Sequence, residues 1–387
     1  MKSIPASGLQ GGHGGHGGHG GHGGHGGHSD IDADVENTSS LNASALVSNR
    51  DGIAGTFDAR ALALRPFPGN RTVEDTSNLR LWSPDRRAQI FDFEVMSRIG
   101  FSRVDATEQF TVWHLWRPVA AGVPPLAEYK PLVQLKRPPD ETYQYQTTIV
   151  AGYADLRADR MDEILAQIDG NETFFASILS LHPERHRWTF EIMDLVSRTA
   201  QFVEMRVKYA LATRRPSEYS AQIQPMIQVP GHASTPSGHS TEAFAAAIVL
   251  IYLTSVNGNP VYSDQLFIVQ LLRQAARIAI NRQVAGLHFP VDTAVGAVLG
   301  MTLGSYLVRR MTAAGNFNAW SFDGTAYDRT LDFNWSDYYD TQNLRQTEIR
   351  NLRQDVVVQM ANGNPVDLGE PSPILRWLWE RASKEWT

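Results

Sequence analysis

From Asp159 onward, apolar residues recur every three or four positions, and this repeat constrains the fold more than any other feature of the chain. The spacing predicts helices over Met161 to Ile168, Thr173 to Leu181 and Thr189 to Thr213. Further helices are expected from Ser237 to Leu253, Ser263 to Val284 and Pro290 to Met311. The long third helix should stop at Arg215-Pro216, because proline disfavours helix in the residue before it. Gly296, Gly300 and Gly304 recur every four residues, so a neighbouring helix can approach that face closely. The fold class expected is mainly α, a helical bundle with a loop- and short-strand-containing N-terminal region.

Four segments follow from composition and periodicity. Residues 11–28 are six consecutive Gly-Gly-His triplets, and residues 1–50 are too polar to bury a core, so they read as a disordered tail. Its histidines could share Ni, Cu or Zn, or be a sticky tail without catalytic duty. Residues 51–157 mix Pro-rich turns with stretches such as Phe110-Thr111-Val112-Trp113, and should pack on the bundle as extended segments and loops. Residues 158–325 form the helical core, and residues 326–387 add C-terminal helices. Within the last segment, Asn343 to Met360 reads as an amphipathic helix and Pro373 to Trp386 as a short closing helix. Trp377, Trp379 and Trp386 could make a homo-oligomer contact or pack into the core.

Composition excludes several classes. The formal net charge of −6 and the lack of a long basic stretch give no nucleic-acid footprint. The absence of cysteine removes disulfides, thiolate metal sites and a cysteine nucleophile, and leaves the compartment open. Met1 to Gln10 lacks the apolar core of a secretory signal. The most apolar stretches, Ala243 to Leu253 and Ala294 to Val308, fall short of the roughly 20 residues that span a bilayer, so a soluble protein without membrane insertion is expected.

Between Lys208 and Asp292 lies a set of residues suited to a tetrahedral oxyanion. Lys208 and Arg215 are seven apart, which on a helix places both on one face; a point charge and a planar fork together suit several anion oxygens. Ser237 and Gly238 open an apolar helix, where unpaired backbone N–H groups favour anions. Arg282 adds a third cation. His288 and Asp292 are four apart, so the carboxylate can hold one ring nitrogen and present the other as nucleophile or ligand. His239 supplies a second imidazole. Singly, each is more often a solvated charge, a satisfied histidine or a helix cap. Together, in this order, they describe a pocket for phosphate or vanadate.

This set resembles the acid phosphatase and vanadium haloperoxidase superfamily, of type 2 phosphatidic acid phosphatase-like proteins. The family pattern is Lys-x6-Arg-Pro, Pro-Ser-Gly-His and Ser-Arg-x5-His-x3-Asp. The three blocks appear here as Lys208 to Pro216, Pro236 to His239 and Asn281 to Asp292. Asn281 replaces the usual serine, at a position that does not hold the anion. Lys130, Arg137 and Pro138 also fit the first block, but Pro131 and Pro139 argue against a helix there. The resemblance implies two activities for one pocket. In a soluble acid phosphatase, His288 attacks phosphorus, His239 protonates the leaving alkoxide and then activates water, and Lys208, Arg215, Arg282, Ser237 and Gly238 hold the remaining oxygens. In a haloperoxidase, His288 bonds permanently to vanadium through one ring nitrogen, Lys208 polarises bound hydrogen peroxide and His239 takes its proton. A halide and a small organic acceptor then complete the reaction. His232, seven residues before His239, favours the bromoperoxidase-like form, since related bromoperoxidases carry histidine there and chloroperoxidases tend to carry phenylalanine. A tryptophan often found just before the lysine in haloperoxidases is missing, with Met205 in that neighbourhood. The expected function is vanadate-dependent oxidation of bromide or iodide, with phosphomonoester hydrolysis second and a non-catalytic oxyanion binder third.

Overall fold

The computed structural model describes residues 40–54, 72–116, 128–255, 261–312, 316–351 and 354–387. The Gly-Gly-His tail lies outside the described residues, whereas the end of the segment expected to be disordered forms a helix, α1 (Ser40–Ala54). The remaining helices are α2 (Pro84–Met96), α3 (Asp140–Gly152), α4 (Arg157–Ala166), α5 (Glu172–Leu179) and α6 (Arg187–Leu211). A single turn, α7 (Pro216–Tyr219), leads to α8 (Gly238–Ser255), α9 (Gln265–Val284), α10 (Pro290–Met311) and α11 (Pro373–Ser383). Each helix expected from Asp159 to Met311 is present, with ends shifted by a few residues.

Helix α10 is the axis of the bundle. It is buried on every side, as a helix apolar all round must be. Its glycine stripe lies directly on α8: a Cβ at Gly300 would collide with the Thr241 carbonyl, and one at Gly304 would lie 2.8 Å from the Ala245 oxygen. Among the described residues it is also the helix long and apolar enough to cross a membrane, which corrects the shorter span read from Ala294 to Val308; 94% of its most apolar window is covered by the rest of the fold.

Beside the bundle stands a six-stranded sheet, so the architecture is helix-rich with a mixed sheet rather than a helical bundle alone. Its strands are β1 (Ile99–Val104), β2 (Gln109–Trp116), β3 (Glu128–Lys136), β4 (Trp320–Asp323), β7 (Ile349–Asn351) and β8 (Gln354–Gln359), in the order β1-β2-β3-β4-β8-β7. A two-stranded ribbon joins β5 (Tyr339–Asp340) to β6 (Arg345–Gln346). All pairs in the large sheet are antiparallel except β3 with β4, which lie parallel because the helices from α3 to α10 intervene between them. Lys130 lies in β3 and Arg137 just after it, and Pro131 faces Trp113 at a register shift, the kind of place where a sheet tolerates proline. The competing Lys-x6-Arg-Pro match is therefore a strand.

The helix expected over Asn343 to Met360 is instead β6, β7 and β8. Val356, Val357 and Val358 are β-branched, and β8 pairs with β4 through residues 35 to 39 positions earlier, a pairing that no short window reveals. Trp377, Trp379 and Trp386 are buried within the chain, which settles their role as core packing. Trp377 meets Trp188 edge-on at 5.3 Å, and Glu385 accepts the Trp188 and Thr189 N–H groups at 2.9 Å each, capping the positive end of α6. The C-terminal helix thereby fixes the helix that carries Lys208.

Gly300→Ala should destabilise the fold by about 1–3 kcal/mol, because a backbone carbonyl cannot yield as a side chain can. Chemical denaturation of the two proteins measures this.

Candidate active site

The cations and imidazoles of the oxyanion set, from Lys208 to His288, converge on one cavity of about 520 Å³. Lys208, Arg215, His232, Gly238, His239, Arg282 and His288 line it, with Ile168, Met205, Ile227, Val229 and Leu287 among its apolar wall. Asp292 lies behind His288 and Ser237 at the helix start, and both are fully buried.

Lys208 and Arg215 do not share a helix face, contrary to the expectation from their spacing. Helix α6 ends at Leu211, where Ala212 adopts a left-handed backbone with φ 50°. Arg215 is extended, as a residue before proline tends to be, and its side chain returns to the cavity from the loop. Both cations are satisfied largely by one segment, 232–236. The Lys208 ammonium donates to the carbonyls of Ala233 (3.4 Å), Ser234 (3.1 Å) and Pro236. The Arg215 guanidinium donates to the carbonyls of His232 (3.1 Å), Ala233 (3.3 Å) and Leu287 (3.0 Å). Burial lowers the proton affinity of both, Lys208 to about 8 and Arg215 to about 10.

His288 is set by a tight turn. Gly286, at φ 80°, closes the end of α9, and the Leu287 N–H returns to the Arg282 carbonyl at 3.0 Å. His288 therefore precedes α10 rather than lying on it. Its Nδ1 is 3.2 Å from Asp292 Oδ2, and its Nε2 is 3.0 Å from an Arg215 nitrogen. Since guanidinium only donates, Nε2 holds a lone pair and Nδ1 carries the proton that Asp292 accepts. Burial, and then the charge of Arg215, push His288 well below the usual imidazole range. Asp292 also accepts from Ser234 Oγ (2.5 Å), Thr235 Oγ1 and the Phe289 N–H (3.0 Å). Burial raises its carboxyl, and these donors oppose the rise.

His239, partly exposed in the cavity, directs Nε2 at the Gln167 carbonyl, 2.8 Å away. That bond fixes the proton on Nε2 and leaves Nδ1 basic. Burial followed by Arg282 lowers its proton affinity to about 3. Arg282 donates to Gln167 Oε1 (2.9 Å) and the Ile164 carbonyl (3.0 Å), and its buried Nε has no hydrogen-bond partner among the described residues. Asn281 points away and binds Glu163 and Gln167, each at 3.0 Å, so it braces α9 against α4. His232 accepts from Arg215 through Nδ1 at 3.1 Å, and burial with Lys208 lowers it to about 4.

Ser237 differs from expectation. Its backbone N–H donates to the Asp292 carbonyl at 3.0 Å, so it is not free for an anion. Its buried Oγ has no hydrogen-bond partner among the described residues, while Gly238 and His239 supply the first-turn N–H groups that α8 leaves unpaired. The charge that sequence reasoning missed is Glu204, one turn before Lys208 on the cavity wall and 5% exposed. A glutamate amid the buried stripe of Val203, Val207 and Leu211 was the available signal. Gln167, which orients both His239 and Arg282, carried none.

Residues 195–315 match the family model described as the PAP2 superfamily. This segment is similar to PAP2 superfamily domains. It begins in α6 and ends just past α10, and so contains every cavity residue named above except Ile168. A solved structure described as the first transmembrane PAP2 type phosphatidylglycerolphosphate phosphatase from Bacillus subtilis is 21% identical, with a TM-score of 0.29, over 44% of this chain and 83% of that one. No curated protein matches the chain.

Anion affinity should fall as pH rises from 6 to 9. Burial pushes Glu204 above the usual carboxylate range and Lys208 below the usual amine range, so over this interval Glu204 gains negative charge and Lys208 loses positive charge. Both changes disfavour an anion. Tungstate, whose charge is constant over this range, should bind more weakly at each step in calorimetry, and Glu204→Gln should flatten the lower limb.

Proposed function

We propose that the cavity is the active site of a phosphomonoester hydrolase working through a phosphohistidine on His288. One observation carries the reading: a deprotonated His288 Nε2, backed by Asp292, faces a cavity edged by three cations and a second imidazole. The PAP2 superfamily match supports ester hydrolysis ahead of halide oxidation, which reverses the order expected from the sequence.

The ester phosphate enters with its oxygens toward Lys208, Arg215, Arg282 and the N–H groups of Gly238 and His239. Arg215 then shifts its N–H from His288 to a phosphate oxygen, releasing the lone pair. Nε2 attacks phosphorus in line as the P–O bond to the alcohol breaks, and Asp292 stabilises the imidazolium that forms. His239 Nδ1 gives a proton to the leaving alkoxide, the bound dianion having raised its depressed proton affinity. Water then enters, loses a proton to His239 and attacks phosphorus, which frees phosphate and restores His288. The cations act throughout by holding charge on the equatorial oxygens, without having to reorganise.

A chromogenic aryl phosphate tests this. His288→Ala should lower kcat on the order of 10³-fold or more, and His239→Ala on the order of 10²- to 10⁴-fold. Acid-labile label on the wild-type enzyme after quenching, missing in the His288 variant, would identify the intermediate. Turnover that survives His288→Ala would sink the proposal, and no turnover at all would leave an oxyanion binder.

One observation favours a second reading, vanadate-dependent halide oxidation: His232 stands in the cavity wall against Arg215, where the resemblance places a bromoperoxidase histidine. The donor set fits vanadate, since it offers one lone-pair nitrogen among three cations. His288 would hold it, and Lys208, Arg215, Arg282 and Gly238 would balance its charge. Bound there, vanadate would supply activation of hydrogen peroxide toward bromide or iodide. His239 would accept the peroxide proton, and His232 would hold Arg215 in place. Dye bromination that depends on added vanadate and falls selectively in His232→Phe would establish this activity; equal loss of ester hydrolysis in that variant would count against it.

A further inference from the structure

Beside the cradle, the same cavity carries two carboxyl groups that the phosphoryl chemistry leaves unused. Glu204, on α6, is 5% exposed, and its Oε2 is buried without a hydrogen-bond partner among the described residues. Its other oxygen lies at the start of α8: a Cβ at Gly238 would stand 2.5 Å from Glu204 Oε1. Lys208, one turn along α6, spends its ammonium on the carbonyls of Ala233, Ser234 and Pro236, leaving Glu204 without a donor from it. Glu242, one turn into α8, faces the same cavity and accepts from Ser197 Oγ at 3.3 Å. Burial raises both carboxyls; Lys208 and Arg215 oppose the rise at Glu204, while the charge of Glu204 adds to the rise at Glu242.

The cavity is thus two-signed: three cations and two carboxyls line it, with Glu204 one helical turn from Lys208 and against Gly238. A cation between the carboxylates would neutralise their repulsion and supply the donors that Glu204 lacks. A metal ion suits this place poorly, since no cluster of three or more His, Cys, Asp or Glu side chains fit for a metal occurs among the described residues. An ammonium suits it well, with several N–H donors and a single charge. We propose that the preferred substrate is a phosphomonoester whose alcohol carries an ammonium group near the phosphate, with Glu204 and Glu242 holding the ammonium while the cradle holds the phosphoryl group. This rests on the phosphohydrolase reading and adds the class of leaving group. The same carboxyls would repel an ester whose alcohol carries a carboxylate.

Three phosphonates of similar length, which cannot be hydrolysed, separate this idea from the reading it rests on. Calorimetry of the full chain with 2-aminoethylphosphonate, propylphosphonate and 3-phosphonopropionate should rank them in that order. The ammonium compound should bind on the order of tenfold or more tighter than propylphosphonate. Glu204→Gln should bring that ratio close to one, and Glu242→Gln should lower it. Circular dichroism and thermal unfolding verify that each variant keeps its fold. Equal affinity of the wild-type protein for the ammonium and propyl compounds would overturn the proposal, whatever happens to aryl phosphate turnover. So would a preference that survives both substitutions. Tight ammonium-selective binding without turnover of any phosphate ester would uphold the carboxyl site and remove the hydrolase reading instead.

Discussion

The structure depends on how two buried cations, Lys208 and Arg215, are kept charged. Isolated, Lys208 and Arg215 would be too costly to bury. The segment 232–236 solves this by turning its carbonyl oxygens inward, where they receive the lysine ammonium and much of the arginine fork. The segment is fixed in turn by Thr213, whose Oγ1 accepts the Thr235 N–H at 2.8 Å, and by Asp292, which accepts from Ser234 and Thr235. The two cations, the loop and His288 are thus parts of one hydrogen-bonded unit.

Asp292 links this unit to the bundle. Its carboxylate orients His288 and caps the first turn of α10, and its backbone carbonyl receives the Ser237 N–H at the start of α8. Helices α8 and α10 approach closely because Gly296, Gly300 and Gly304 present no side chain to the facing backbone. The two first turns therefore meet at a fixed separation, one bringing His288 and the other Gly238 and His239. Packing far from the cavity in this way sets the spacing across it.

Much of the site was legible in the residues. The cations and imidazoles from Lys208 to His288 were identified in order, and all of them line one cavity. Their local geometry was not legible in the same way. The seven-residue spacing predicts Arg215 on a helix face, but the chain turns at Ala212 before reaching it, and only the return of the loop brings the guanidinium back. Ser237 was assigned a free N–H that Asp292 takes from 55 residues away. Glu204 was missed because a single glutamate in a helix reads as a solvated charge until the surrounding elements are seen to bury it.

The sequence by itself determined the helices of the core, the glycine seam along α10 and the set of cations and imidazoles that lines the cavity. These depend on short-range periodicity and on residue types whose charge and shape are intrinsic. Tertiary structure alone decided the six-stranded sheet, the burial of the C-terminal tryptophans and the two-signed character of the cavity. Each arises from groups distant in the chain, and the energy of a strand pair or a buried charge is set by a partner that no local window contains.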